Sequence, residues 1–177
     1  MLDAPAVPAP AIASAAPPVP VIRACLVELC GSRFAVDVKS AREVAVFDTI
    51  TPVPGASREL LGVANLGGVV MPIVDVRPLL GLRTPTPRHP LTTLVVAEAT
   101  VRVAMMIDAA LGLEPFPSIA PSLPQPGQLH SGLVRGSLTR DSETIPLLDI
   151  PSLVRALTRS LRRVAGVTRQ PSHGDQI

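Results

Sequence analysis

One pattern in this chain occurs twice. Pro72-Ile73-Val74-Asp75-Val76-Arg77-Pro78-Leu79-Leu80 returns as Pro146-Leu147-Leu148-Asp149-Ile150-Pro151-Ser152-Leu153-Val154. The proline, the aspartate and the following leucine keep register throughout. Each copy reads as an apolar strand that runs into a turn. A repeated strand-then-turn unit implies two similar subdomains. Neither half, at roughly 65–70 residues, holds enough core to be very stable alone. Burying their faces together accounts for a composition that is 47 % hydrophobic yet 2 % aromatic. Two looser echoes accompany the repeat. Gly62-Val63-Ala64-Asn65-Leu66 loosely matches Gly132-Leu133-Val134-Arg135-Gly136, and Phe34-Ala35-Val36-Asp37 has an echo in Val103-Ala104-Met105-Met106-Ile107-Asp108.

The rest of the chain reads as short strands between turns. Residues 26–29 and 34–38 flank Gly31-Ser32, which predicts a hairpin. Residues 44–47 form a further strand, 51–54 a loop, and 57–61 a single helical turn capped by Ser57. Residues 69–76 are β-rich, with Pro72 restricting them to an edge or a bulge. Residues 77–82 form a helical turn ended by Gly81. Three prolines make 84–90 a stiff connector and the boundary between subdomains. Strands follow at 92–97, 101–107, 111–116, 133–138 and 144–150, with a long Pro-rich loop over 115–128. Leu153, Leu157, Leu161 and Val164 recur at helical spacing, which predicts an amphipathic helix over 151–164, started by Pro151 and stopped by Gly166. Residues 1–22 are a Pro/Ala-rich disordered tail, 23–165 the folded part, and 166–177 a flexible tail.

Several classes of function are excluded on composition. With Phe34, Phe47 and Phe116 as the only aromatics, no platform exists for stacking single-stranded nucleic acid. The formal net charge of +2 is small, and only the C-terminus clusters basic residues. Cys25 and Cys30 read as small hydrophobes on one strand with opposite faces, so neither a disulfide scaffold nor a Cys-rich zinc site is expected. His89, His130 and His173 are isolated, no carboxylate cluster accompanies Asp75 or Asp149, and no phosphate-cradling Gly-Lys motif or nucleophile elbow is present. No catalytic residue, metal or cofactor is expected. The uncharged run 4–22 holds too many prolines for a membrane span and lacks a basic flank for a signal peptide. A soluble, cytoplasmic chain in a reducing compartment follows as the expectation.

The segment Gly62-Val63-Ala64-Asn65-Leu66-Gly67-Gly68-Val69-Val70-Met71-Pro72-Ile73-Val74-Asp75-Val76-Arg77 resembles the CheW family of coupling proteins, which write it Gly-x-x-Asn-Leu-Arg-Gly-x-x-x-Pro, then two hydrophobic residues, Asp, a hydrophobic residue and Arg. The hairpin at Phe34-Ala35-Val36-Asp37 and the step Arg42-Glu43-Val44 are similar too, and the likeness runs from about Ala24 to Leu157. The resemblance implies an all-β chain of two five-stranded SH3-like barrels packed together, followed here by the C-terminal helix. It implies a non-enzymatic adaptor between the cytoplasmic tips of methyl-accepting chemoreceptors and the regulatory domain of a CheA-type histidine kinase, associated with membrane-bound arrays only through those partners.

The resemblance also nominates a partner-binding set: Ala41 and Glu43 near the receptor groove, and Gly62, Asn65, Gly67 and Gly68 in the motif. Gly67 stands where the family usually has an arginine associated with receptor contact. The two flanking glycines read equally as backbone requirements, and Asn65 as a residue that holds its loop. Asp75 and Asp149 read as turn or cap residues. A second reading makes the chain an adaptor whose basic C-terminal helix, with Arg155, Arg159, Arg162 and Arg163, binds nucleic acid or an anionic membrane surface while the β domain serves as scaffold.

Overall fold

Period-2 apolar patterning and two-residue turns produce ten strands. The computed structural model describes residues 21–167 apart from 85, 88, 118, 121–130 and 141, with backbone alone at 131 and 161–167. The strands are β1 (Ile22–Leu29), β2 (Ser32–Asp37), β3 (Ala41–Phe47), β4 (Leu60–Leu66), β5 (Val69–Val74), β6 (Leu91–Glu98), β7 (Val101–Met106), β8 (Ala109–Phe116), β9 (Val134–Arg140) and β10 (Glu143–Leu148). A 3-10 turn at Ser131–Leu133 precedes β9, and helix α1 (Ile150–Val167) follows β10.

The two five-stranded sheets have the orders β8-β1-β2-β10-β9 and β3-β6-β7-β5-β4. Each sheet therefore combines strands from both halves of the sequence. The connector 84–90 joins β5 to β6 within one sheet. The sequence repeat itself is sound, with β1–β5 corresponding to β6–β10, but the third strand of each half is exchanged. β3 pairs with β6, and β8 pairs with β1. Strand pairing depends on edges meeting in space, which linear order does not specify.

Register fixes the internal correspondence. Val63 lies opposite Pro72, and Ser137 opposite Pro146. Gly62 therefore matches Gly136, not Gly132. Both glycines are required by close backbone approach. A Cβ at Gly62 would sit 2.5 Å from the Thr51 carbonyl oxygen, and one at Gly136 would sit 2.6 Å from that of Ala120. These are the places where isolated bridges, Thr51 to Val63 and Ala120 to Ser137, fold each outer strand back on its own sheet. Likewise Ile73 pairs with Ala104 and Leu147 with Ala35, so Phe34-Ala35 matches Val103-Ala104, whereas Asp37 matches Met106 and not Asp108.

Pro72 does not lie on an edge strand, since β5 runs between β7 and β4. Counted from the β4–β5 turn, its pair with Val63 is of the non-hydrogen-bonded kind, so its nitrogen points away from β4. The parallel pairing with β7 begins one residue later, at Ile73. The missing N–H therefore costs no ladder bond. Pro146 repeats the arrangement beside Leu147.

Other local expectations shift by a residue or two. The first hairpin turns at Cys30-Gly31, with φ of 53° and 75°, so Cys30 is an exposed turn residue rather than a strand residue. Residues 60–61 open β4 instead of ending a helical turn, because Leu60 pairs with Val74 of β5 and Leu61 is the extra residue of a bulge. Residues 62–66, read as a loop, belong to the same strand. Leu133 lies in the 3-10 turn ahead of β9. The turn after Arg77 is helical and ends at Gly81 with φ 70°, as its composition predicts. α1 starts with Pro151 in its first turn but continues through Gly166 to Val167. Residues 1–20 and 168–177 of the expected tails, most of the long loop, His130, His173 and the side chains of Leu161, Arg162, Arg163 and Val164 lie outside the described residues, whereas Ile22 opens β1.

Three apolar clusters hold the molecule together, each with one phenylalanine. Phe47 packs with Met71, Ile73 and Leu91 inside one sheet, and Phe116 with Leu26, Leu138 and Leu147 inside the other. Phe34 belongs to the largest cluster, where both sheets meet and Leu153, Val154 and Leu157 of α1 dock. Along β1, Ala24 and Leu26 face one cluster while Cys25, Val27 and Leu29 face another. A strand buried on both sides needs a continuous apolar run, which supplies the aliphatic richness of the chain.

Candidate functional site

The exchanged strands shape the most distinctive surface. β3 and β8 each end a sheet, so each offers an unpaired edge. Both carry a bulge. Ala41 pairs with Val96 and Glu43 with Val95, leaving Arg42 as the extra residue. Ala110 pairs with Val27 and Gly112 with Leu26, leaving Leu111 as the extra residue. The bulges fall at equivalent points of the two halves, and both strands line one open groove of about 470 Å³ with Cys25, Val38 and Leu94.

Groove chemistry follows from strand parity. On β3, Ala45 and Phe47 point into the barrel, which leaves Val44 48 % and Val46 59 % exposed. On β8, Leu111 is 42 % and Leu113 55 % exposed. Large aliphatics on an edge are an aggregation liability unless a partner covers them. The bulges break the regular ladder and so oppose simple strand addition. A helical or irregular segment that contributes apolar side chains fits better than an added strand. Burial raises the Cys25 thiol pKa at the groove floor, so this cysteine stays protonated and inert.

Ala41 and Glu43 thus lie in the groove, with Ala41 half-buried and Glu43 exposed. The other four nominated residues gather at the β4–β5 hairpin, on the far side of the same sheet. Gly67 and Gly68 form its turn with φ of 57° and 86°, and Asn65 Oδ1 accepts the Gly68 N–H at 2.7 Å. Open space surrounds Gly67 where a Cβ would point. Val69 and Val70 beside the turn are exposed. The six residues therefore form two patches rather than one. Val38, Val44, Leu111 and Leu113 were not singled out from sequence. The available signal was the apolar run at 44–47, which is too hydrophobic for a strand with one wet face.

Both repeat aspartates act on backbone. Asp75 Oδ1 accepts the Arg77 N–H at 3.0 Å, and Asp149 Oδ1 accepts the Ser152 N–H at 2.9 Å, capping α1. Arg77, the last residue of the motif, is 1 % exposed. Its Nη1 lies 3.5 Å from Asp75 Oδ2, and its Nη2 donates to Asp108 Oδ1 at 2.5 Å. Asp108 Oδ2 accepts the Cys30 N–H. One buried guanidinium thereby ties the end of β5 to the turns that follow β1 and β7.

These features define a protein-binding β scaffold. Among the described residues, no group of three or more His, Cys, Asp or Glu side chains could hold a metal ion, and no helix is long and apolar enough to cross a membrane. The CheW-like domain family model matches residues 23–158. The chain is 31 % identical over 131 residues to the chemotaxis protein CheW of Rhizobium meliloti (strain 1021), covering 68 % of this chain and 79 % of that relative. It is 26 % identical over 132 residues to the chemotaxis protein CheW of Thermotoga maritima, covering 74 % and 86 %. The fold is similar to the crystal structure of the scaffolding protein TtCheW from Thermoanaerobacter tengcongensis, with a TM-score of 0.66 at 20 % identity, covering 72 % of this chain and 88 % of that one. The chain belongs to the CheW-like domain family, in which the CheW proteins are chemotaxis scaffolds and adaptors rather than enzymes.

Proposed function

We propose that this chain couples the cytoplasmic tips of methyl-accepting chemoreceptors to the regulatory domain of a CheA-type histidine kinase, as an adaptor in a bacterial chemosensory array. The groove between β3 and β8 carries the reading. It places three exposed aliphatics, Val44, Leu111 and Leu113, on two edges that resist strand addition, with Val46 exposed further along β3. A helical receptor tip supplies the complementary apolar ridge, with Ala41 and Glu43 at the groove wall. The β4–β5 hairpin, with Gly62, Asn65, Gly67 and Gly68, forms a second contact, and the ends of the barrels serve the kinase domain, which is itself built of such barrels. Moderate individual affinities suffice, because an array multiplies them.

The direct test is titration of the full chain with a receptor hairpin-tip fragment and, separately, with the cognate kinase regulatory domain. Binding to both supports the proposal, and binding to neither removes it.

A further inference from the structure

A second groove lies away from the β3–β8 surface, where α1 crosses the loops ahead of β4 and β9. It encloses about 540 Å³. Three arginines stand around it: Arg58 from the loop before β4, and Arg155 and Arg159 from consecutive turns of α1. All three are exposed. Leu79, Leu133 and Ala156 supply apolar wall.

The charge is not balanced from within. Arg58 reaches only the buried Glu59, at 3.4 Å, and that carboxylate also accepts a hydrogen bond from Ser160. Arg155 bonds the neutral Ser152 hydroxyl, and neither Arg155 nor Arg159 has a carboxylate partner among the described residues. The segments outside the description carry only Asp3, Asp141 and Asp175 as acidic residues, scattered along the chain. The segment 121–130, which precedes Gly132 in the sequence, has none. Glu98 lines the adjoining pocket with Arg155 and Arg159 but forms an ion pair with neither, so the guanidinium donors of this groove are available to carboxylates of another molecule.

We infer that this groove docks an acidic segment of a partner protein, with carboxylates on Arg155, Arg159 and Arg58 and an apolar side chain against Leu79 and Leu133. The spacing supports a peptide. Arg155 and Arg159 are separated by about 6 Å of helical rise, which matches carboxylates four apart on a helix or two apart on a strand. The apolar wall favours a partner that brings hydrocarbon between its charges, which a bare phosphate does not. This surface shares no lining residue with the β3–β8 groove and does not depend on the receptor contact proposed there.

The test uses the full chain and a fluorescein-labelled helical peptide with Glu at every fourth position and Leu beside each, followed by anisotropy. Saturable binding is expected, weakened at least about tenfold by Arg155→Gln with Arg159→Gln, since charge-assisted hydrogen bonds are lost. Arg58→Gln on the opposite wall weakens it separately, so the result does not hang on one helix variant. Arg33→Gln, at a distant ion pair with Glu143, leaves it unchanged. Replacing each Leu of the peptide by Ser also weakens binding. Equal affinity of the double variant and the parent overturns the inference. So does indifference to the Leu-to-Ser change, which would mean diffuse charge attraction. Binding of the full chain to phosphatidylglycerol vesicles, with no binding of the peptide, overturns it in favour of a lipid surface.

Discussion

Arg42 and Leu111 hold the same place in the two halves of the chain: each is the extra residue of a bulged edge strand, and both line one groove. By the same register Val44 corresponds to Leu113. An internal duplication has thus been turned into two unlike walls, one carrying Arg42 and Glu43, the other Leu111 and Gly112.

That asymmetry gives the first prediction. Leu113→Asp and Val44→Asp each place a charge where the apolar ridge of a partner would sit. Receptor-tip binding measured by titration should weaken at least about tenfold, because a carboxylate buried without a partner is costly. Chemical denaturation should show stability unchanged to within about 0.5 kcal/mol, as expected for exposed side chains. Unaltered receptor binding by both variants would place the receptor contact elsewhere.

Gly67→Arg restores the side chain that the family usually carries. The position is open, but φ of 57° costs a non-glycine residue about 1–2 kcal/mol. Receptor-tip affinity should rise about tenfold through charge-assisted hydrogen bonds, with kinase binding unchanged. Loss of both affinities together with a large drop in melting temperature would show that glycine is kept for the turn and not for the interface.

Arg77→Ala should cost about 3–5 kcal/mol in urea denaturation, since Asp75 is fully buried and would lose its counter-charge. Asp108→Asn should cost less, because Asp75 still faces the guanidinium. An Arg77→Ala protein as stable as the parent would contradict the anchoring role assigned to this residue.

The acid limb of stability should depend on Glu59. Burial alone would raise its carboxyl pKa, but hydrogen bonds, among them those from Ser160 and Arg58, outweigh this and hold it below the ordinary 4.5. The unfolded chain then binds the proton more readily than the folded one. Glu59 therefore contributes stability that is complete above the ordinary value and lost as pH falls through the depressed one. Glu59→Gln should flatten the fall of the denaturation midpoint as pH drops below the ordinary glutamate value, relative to the parent. Parallel curves would refute this assignment.

The repeat at Pro72–Leu80 and Pro146–Val154 was legible because proline, aspartate and leucine each answer a local demand: a ladder site without an N–H, a backbone cap and a turn that docks in the core. Composition and periodicity likewise marked most strands and the start of α1. Strand exchange was not legible, since β3 and β8 carry no local sign of which sheet they join. Gly136 was missed as the partner of Gly62 because the approach that requires glycine comes from Ala120 and Thr51, distant in sequence. Arg77 was visible only as the last letter of a motif. Nothing nearby signals that two carboxylates, one of them thirty-one positions away, will enclose it.

The exchange of strands also sets a timetable. Ile22 finds its partner Phe116 only when roughly ninety further residues exist. At a synthesis rate of about 5–20 residues per second, β1 waits on the order of 5–20 s for β8. Through that interval the apolar faces of β1 and β2 have no sheet to complete, and the nascent chain emerges with much of its future core uncovered. The first half cannot complete either sheet before the second is made, so this fold closes only late in synthesis.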